Sequence, residues 1–132
     1  MEYRIGQAAQ LLGVSPDTVR RWADAGRIAS TAGPRGQRLF DGVELARFAR
    51  ELTAERPPST PSAQSARNRF VGIVTDVVKD NVVAKVEIQA GPHRFVSLIT
   101  REAVDELGLV PGMVVDAVVK ATNVGVEIPT RI

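Results

Sequence analysis

The chain has 132 residues, with 17 Lys and Arg against 15 Asp and Glu, no Cys, and 5% aromatic residues. This length suits one ordinary domain or two very small ones, and it is too short for a large enzyme core with its own cofactor fold. The lack of Cys excludes a disulfide scaffold, a thiolate metal site and a Cys nucleophile, and the few aromatic residues disfavour a stacking surface for single-stranded nucleic acid.

The basic residues are distributed unevenly along the chain. Residues 1–56 contain nine Arg, no Lys and seven acidic residues, whereas residues 65–132 contain eight basic and eight acidic residues. Between them lies a segment rich in Pro and Ser without a large apolar residue, which is typical of a linker. We therefore predict two domains, residues 1–56 and 65–132, joined by a linker at 57–64, and expect nucleic-acid contact in the first domain only.

The first domain shows helical spacing and strong helix-boundary signals. A first helix is predicted from apolar residues three and four positions apart: Ile5, Ala8, Ala9 and Leu12. Ser15 followed by Pro16 predicts the start of a second helix, over about 16–25. A Gly- and Pro-rich turn at 33–36 and a capping pattern from Asp41 to Glu44 then predict a hairpin and a third helix. This order indicates a winged helix-turn-helix.

This domain resembles the MerR/excisionase-type DNA-binding domains over about residues 1–52. The resemblance lies in the stretches 3–9, 12–15, 18–22, 26–28 and 38–41. It implies binding of double-stranded DNA, with the second helix in the major groove and the wing against the backbone. The candidate DNA-binding residues are Ser15, Thr18, Arg20, Arg21, Arg35 and Arg38.

The chemistry of these residues agrees with that role. A helix N-terminus offers free N–H groups to a phosphate, Arg can read guanine with two hydrogen bonds, and Thr can contact a base edge. Arg35 and Arg38 on the wing can reach phosphates or a minor groove. The alternative is that these Arg residues form a solvated face. We expect Trp22 to lie in the core and Arg47 to pair with acidic residues of its own helix.

The sequence of the second domain predicts mainly β-strands. Strands are predicted at 70–78, 82–90, 93–99 and 113–120, with a short helix capped by Thr100 and a last short strand at 124–128. Five strands and a short helix indicate an OB-like β-barrel. The predicted fold class is thus α+β in two domains, a mainly helical winged helix-turn-helix followed by this five-stranded barrel.

Residues 65–128 resemble a single molybdate-binding Mop domain, also called a TOBE domain. The resemblance lies mainly in Ser-Ala-Arg-Asn at 65–68, Ile-Thr at 99–100 and Val-Lys-Ala-Thr at 119–122. It implies that molybdate or tungstate binds where subunits of a dimer or trimer of dimers meet. Ser65 and Arg67 of one chain would face Thr100 and Lys120 of a neighbour, with backbone N–H groups from Arg67 and Ala121. Ala103 stands where the family often has Ser, so one hydroxyl donor is missing.

A tetrahedral dianion needs many hydrogen-bond donors and positive charge in place of its water. Lys120 has the strongest support as a ligand residue, because it follows an apolar run with no acidic residue nearer than Asp116. The alternative is that its side chain extends into solvent. For the other candidates, Ser65 can be plain linker, Arg67 can pair with an acidic residue, and Thr100 is a good helix cap in any case.

We therefore expect a molybdate- or tungstate-responsive DNA-binding transcriptional regulator that forms homo-oligomers through its second domain. The alternative is an intracellular molybdate storage protein with an accessory DNA-binding head. A nucleic-acid-binding barrel is disfavoured by the balanced charge, and an enzyme is disfavoured because no nucleophile–base pair or metal cluster is found. No run of 18 apolar residues and no signal-peptide pattern occurs, so we expect a cytoplasmic protein without a membrane partner.

Overall fold

The computed structural model describes residues 1–54 and 68–132. Its described residues form two compact units, one containing residues 1–54 and 129–132 and the other residues 68–128. The predicted linker at 57–64 and two predicted oxyanion-binding residues, Ser65 and Arg67, lie outside the described residues. The boundaries that we predict for the two domains fall in the same segment and stay predictions.

The N-terminal unit combines three helices with a small antiparallel sheet. Its elements are β1 (Glu2–Arg4), α1 (Ile5–Leu12), α2 (Pro16–Asp24), β2 (Thr31–Ala32), β3 (Arg38–Asp41) and α3 (Gly42–Ala54). The sheet order is β1-β3-β2, so the predicted hairpin of β2 and β3 is present. Strand β1, in which Tyr3 pairs with Phe40, is an addition that the sequence pattern does not indicate.

The helix boundaries of this unit follow from local hydrogen bonds. The Ser15 hydroxyl accepts a hydrogen bond from the Thr18 backbone N–H at 3.2 Å, which caps α2 as predicted. Gly13 ends α1 with a φ of 70°, a left-handed conformation that suits glycine. The Asp41 carboxylate accepts hydrogen bonds from the backbone N–H groups of Val43 and Glu44, each at 3.1 Å, and so begins α3.

One apolar core holds the N-terminal unit together. Its buried members come from all three helices, from β3 and from the loop after α2: Ala8, Ala9, Val19, Ile28, Phe40, Leu45 and Phe48. Trp22 packs against this core, and its ring meets that of Phe48 edge-on at a centroid distance of 5.1 Å. The placement of Trp22 in the core, away from the exposed side of α2, is as predicted.

The C-terminal unit is an antiparallel sheet covered by one helix. Its elements are β4 (Asn68–Lys79), β5 (Val83–Ala90), β6 (His93–Thr100), α4 (Arg101–Leu107), β7 (Val114–Val119) and a 3₁₀ turn (Ala121–Asn123). The sheet order is β6-β5-β4-β7. The buried residues of its core are Val74, Ala84, Val86, Ile88, Val104 and Ala117. The sheet is curled, so that its two outer strands, β6 and β7, line a common cleft.

The predicted α+β fold class is confirmed, but the predicted strand count is wrong. The described residues of this unit form four strands, and the expected fifth strand at 124–128 is absent. All five residues of that segment are exposed, Val126 to 91% and Ile128 to 94%. A strand needs a sheet edge as hydrogen-bonding partner, and this segment pairs with no edge among the described residues.

None of the helices in the described ranges is long and apolar enough to cross a membrane.

Candidate functional sites

The first candidate site lies at the start and along the exposed side of α2. Ser15, Asp17, Arg20 and Arg21 line a surface depression of about 510 Å³. The Ser15 and Thr18 hydroxyls are 2.9 Å apart, and an Arg21 Nη donates to the Thr18 hydroxyl at 3.4 Å. Four of the six predicted DNA-binding residues thus lie together on α2 and at its N-cap.

Arg20 has a counter-charge on its own helix. Its Nη1 lies 2.9 Å from the Asp17 carboxylate, one helical turn earlier, and both side chains are more than half exposed. An exposed pair of this kind contributes at most about 1 kcal/mol to stability. Arg20 can therefore exchange Asp17 for a phosphate at small cost, because the pair is weak and accessible.

The two wing residues differ in what they contact. Arg38 donates from Nη1 to the Asp24 carboxylate at 2.8 Å, and this contact ties the hairpin to the C-terminal end of α2. Arg35 is exposed in the turn between β2 and β3, where its backbone N–H donates to the Gln37 side chain at 2.8 Å. Arg35 is therefore presented to solvent, whereas Arg38 is engaged within the unit.

Two further Arg residues of this unit have structural roles. The Arg27 guanidinium stands 5.9 Å from the ring centre of Trp22 and 5.7 Å from that of Phe48, which is cation–π geometry. Arg47 pairs with Glu44 at 2.7 Å and Glu51 at 2.6 Å, as predicted. The hydrogen bond and charge of Glu44 raise the pKa of Arg47 above its usual value.

In the second unit, Thr100 caps α4. Its hydroxyl oxygen accepts a hydrogen bond from the backbone N–H of Ala103 at 3.1 Å, and its side chain is exposed. A hydroxyl that accepts one hydrogen bond still has its proton free to donate. The capping role and a ligand contact are therefore compatible, and the capping bond holds the oxygen in place.

Lys120 and Ala121 follow the end of β7. Lys120 is exposed and stands directly before the 3₁₀ turn that begins at Ala121. Within residues 1–54 and 68–132, no carboxylate pairs with Lys120, whereas the two other Lys residues each have one: Lys79 with Asp105 and Lys85 with Glu87. The positive charge of Lys120 is thus available to a ligand.

The sheet register separates Thr100 from Lys120. Lys120 follows Val119, whose register partner is Asn68, the first residue of β4. Thr100 pairs with Val83, and the next residue, Ala84, pairs with Lys79 at the other end of the 12-residue β4. One chain therefore does not bring Thr100 and Lys120 together, which corrects the expectation that both approach one ion from the same neighbour.

Comparisons with known protein families match both units. Residues 2–53 match a helix-turn-helix domain, and residues 64–126 match a TOBE domain. The match of the first unit is to helix-turn-helix domains in general, a coarser grouping than the MerR/excisionase type.

Individual relatives cover the second unit. Molybdenum-pterin-binding protein 2 from Clostridium pasteurianum is 41% identical over 61 residues, which are 46% of this chain and 90% of that protein. A solved structure of the cytoplasmic molybdate-binding protein ModG with molybdate bound is 38% identical, with a TM-score of 0.50, over 55% of this chain and 52% of that one. A molybdate-binding protein from Sporomusa ovata is 37% identical over 51% of this chain and all of its own, with a TM-score of 0.49. The chain therefore belongs to the TOBE-domain family, with the TOBE domain preceded by a helix-turn-helix domain.

Proposed function

We propose that this protein is a molybdate- or tungstate-responsive DNA-binding transcriptional regulator. The observation that carries the proposal is that one chain joins a helix-turn-helix unit with an exposed Arg surface to a TOBE unit whose relatives are named for binding molybdenum compounds. A DNA-binding unit and a ligand-binding unit in one chain allow the ligand to alter DNA affinity. The ModG neighbour is described as cytoplasmic, and we propose the same location.

The DNA partner is proposed from the α2 surface. Two exposed guanidinium groups and two hydroxyls lie together at and after the N-terminus of a helix. The positive end of that helix attracts a phosphate, and Arg can read a guanine edge. Arg35 extends the surface to the wing. Arg38 joins it only if its bond to Asp24 is exchanged for a phosphate.

The oxyanion site is proposed around Lys120. Lys120 is a cation without a carboxylate partner in the described part of the chain, and Ala121 begins the turn beside it. Asn68 is the register partner of Val119, and Ser65 and Arg67 precede Asn68 in the sequence. We propose that Ser65, Arg67, Lys120 and Ala121 act as one group on molybdate or tungstate.

Thr100 is not part of this group within one chain, and we propose that it contacts the ion from another copy. Because β4 separates it from Lys120, both can approach the same ion only when they come from different copies of the chain. A homo-oligomer, either a dimer or a trimer of dimers, supplies those copies through the second unit. Sites shared between copies also couple oxyanion binding to assembly, and this changes how many DNA-binding units act together.

Calorimetric titration tests the oxyanion site. We expect molybdate and tungstate to bind the wild-type protein, and Lys120→Ala to weaken binding at least tenfold. Lys85→Ala is the matched control, because it also removes one Lys but from an exposed position already paired with Glu87. Equal binding by the wild type and Lys120→Ala, or no binding by either, would refute the proposed site.

A second measurement separates regulation from storage. A duplex selected by this protein from a random-sequence pool is titrated with protein at fixed salt, with and without molybdate. A regulator requires the two affinities to differ, and thermodynamic reciprocity then requires the duplex to change molybdate affinity by the same factor. If the protein instead stores molybdate and has an accessory DNA-binding head, we expect molybdate to leave the DNA affinity unchanged and each oligomer to bind many anions.

A further inference from the structure

The turn of the wing is closed by its own backbone. Residues 33–37, the wing tip, connect β2 to β3 and have the sequence Gly-Pro-Arg-Gly-Gln. The Gly36 N–H donates to the Gly33 carbonyl at 2.9 Å, and the Gly33 N–H donates to the Gln37 carbonyl at 2.6 Å. Gly36 has a φ of 76°, a left-handed conformation that is typical of the residue after a tight turn in short hairpin loops. The backbone path of the wing tip is therefore defined by these two bonds.

The Gln37 side chain reinforces this turn from the inside. Its Oε1 accepts a hydrogen bond from the Arg35 backbone N–H at 2.8 Å. The same amide group lies directly against Gly33, because a Cβ at Gly33 would stand 2.6 Å from Gln37 Cδ and 2.7 Å from Nε2. Gly33 thus leaves the space that the amide occupies. Gln37 is half-buried in this position, whereas residues 34–36 are exposed.

The wing tip combines one available charge with a neutral support. Arg35 is the only charged residue of the wing tip, and no carboxylate pairs with its guanidinium within residues 1–54 and 68–132, whereas the nearby Arg38 is paired with Asp24. An amide oxygen can accept the Arg35 N–H without a negative charge. A carboxylate in the same place would repel DNA phosphates, so Gln37 holds the backbone without weakening the attraction of Arg35.

A cation on a fixed loop binds a duplex more tightly than the same cation on a loose one. Binding must otherwise order the loop, and the lost freedom of backbone and side chains lowers the affinity. The turn and the Gln37 bond impose this order before DNA arrives. The base of the hairpin is fixed separately, since Arg38 bonds to Asp24 at the end of α2. Arg35 is therefore presented from a backbone that is held at both levels.

We propose that Gln37 is a positioning residue for DNA binding: through its hydrogen bond to the Arg35 backbone, it holds the wing tip in the shape that presents the Arg35 guanidinium to the duplex. This inference rests on the proposed function and adds a residue that acts on DNA only through another. Arg35 supplies the charge, Gln37 fixes the backbone that carries it, and Gly33 leaves room for the Gln37 amide.

A double-mutant cycle tests this role, with the full chain and the selected duplex at fixed salt. We expect Arg35→Ala to weaken binding about tenfold. Gln37→Leu is similar in size but has no acceptor, and we expect it to weaken binding about fivefold. Because Gln37 acts through Arg35, adding Arg35→Ala to Gln37→Leu should weaken binding only about twofold further. Independent effects that multiply to about fiftyfold, or wild-type affinity of Gln37→Leu, would overturn the proposal.

Gln10→Leu is the matched control, because it makes the same change in the same unit at an exposed position of α1, and we expect wild-type affinity. Thermal unfolding checks the fold of every variant, and amide hydrogen exchange at Arg35 reports whether its bond to Gln37 is present. Gly33→Ala is a second route, since its methyl group would displace the Gln37 amide. We expect faster exchange at Arg35 and the same fivefold loss; faster exchange with wild-type affinity would contradict the positioning role.

Failure of this inference can be distinguished from failure of the proposed function. If the wild type binds the duplex and Arg21→Ala weakens that binding, DNA contact by α2 stands whatever Gln37 does. An unchanged affinity of Arg35→Ala in that setting overturns the positioning role alone, because there is then no contact to position. No duplex binding by the wild type overturns both.

Discussion

Removal of the Arg21 side chain tests the DNA-binding surface directly. Arg21 is exposed on α2, and within the described residues its guanidinium makes one polar contact, with the Thr18 hydroxyl at 3.4 Å. Because that bond is long and exposed, Arg21→Ala should change the free energy of unfolding by less than about 0.5 kcal/mol. Any effect on DNA affinity then comes from the interface and not from the fold.

The expected size follows from one lost phosphate contact. Each neutralised phosphate contributes about 0.9 to the slope of log affinity against log salt, so Arg21→Ala should make the slope shallower by about 0.9. When the salt concentration rises fourfold, from 50 to 200 mM, the DNA affinity of Arg21→Ala should therefore fall by a factor about 3.5 times smaller than that of the wild type. A lost charged hydrogen bond of about 1.5 kcal/mol adds a loss of about tenfold at fixed salt.

The assay is fluorescence anisotropy with a labelled duplex at several salt concentrations, and thermal unfolding of each variant checks the fold. Arg47→Ala is the matched control, because it removes the same charge from the same unit, but from a side chain already paired with Glu44 and Glu51. We expect its salt slope to equal that of the wild type. If Arg21→Ala and Arg47→Ala lower the slope equally, the contact is diffuse charge attraction and the assignment of α2 is wrong.

Three further predictions concern stability. Ser15→Ala should destabilise the N-terminal unit by about 1 kcal/mol in chemical denaturation, because α2 loses its cap, whereas Ser15→Gly should cost only a few tenths. Gly72→Ala should lower the free energy of unfolding by about 1–3 kcal/mol, because the added Cβ would meet the Gln89 carbonyl oxygen and Ile88 Cγ2, each at 2.7 Å. A stability equal to that of the wild type would show that β5 can move away from the new methyl group without cost. Backbone N–H groups of Val82 and Val83 lower the pKa of Asp80. The ionised Asp80 carboxylate therefore stabilises the fold above its unfolded pKa of about 4, and this stabilisation is lost as pH falls through the lower folded pKa. The difference in melting temperature between wild type and Asp80→Asn should therefore shrink from pH 6 to pH 3, and a constant difference would contradict this.

Much of the fold can be predicted from the sequence because its signals are local. Ser15 and Gly13 mark helix ends through bonds to residues within four positions, and apolar spacing identifies the buried faces of α1 and α2. The strands of the second unit follow from alternation and from turn residues, and the cap by Thr100 follows from its place before α4. These interactions need no knowledge of distant parts of the chain.

The candidate sites could be predicted in residue type but only partly in arrangement. Side chains three positions apart on one helix, such as Thr18 and Arg21, come together because helical geometry requires it. The pairing of Arg38 with Asp24, 14 positions apart, depends on where the hairpin packs, and no local pattern reveals it. The separation of Thr100 from Lys120 likewise follows from the sheet register and not from their spacing in the sequence.

The segment at 124–128 shows most clearly where sequence stops and tertiary structure begins. Its alternation of apolar residues establishes that it can form a strand, since side chains in a strand alternate between two faces. Alternation does not supply the neighbouring edge that a strand needs for its hydrogen bonds. The sequence by itself thus determined the two units, their helices and six of the seven strands that the described residues form. Tertiary structure decided which edges are paired, which charges are already neutralised, and which candidate residues share one end of a sheet.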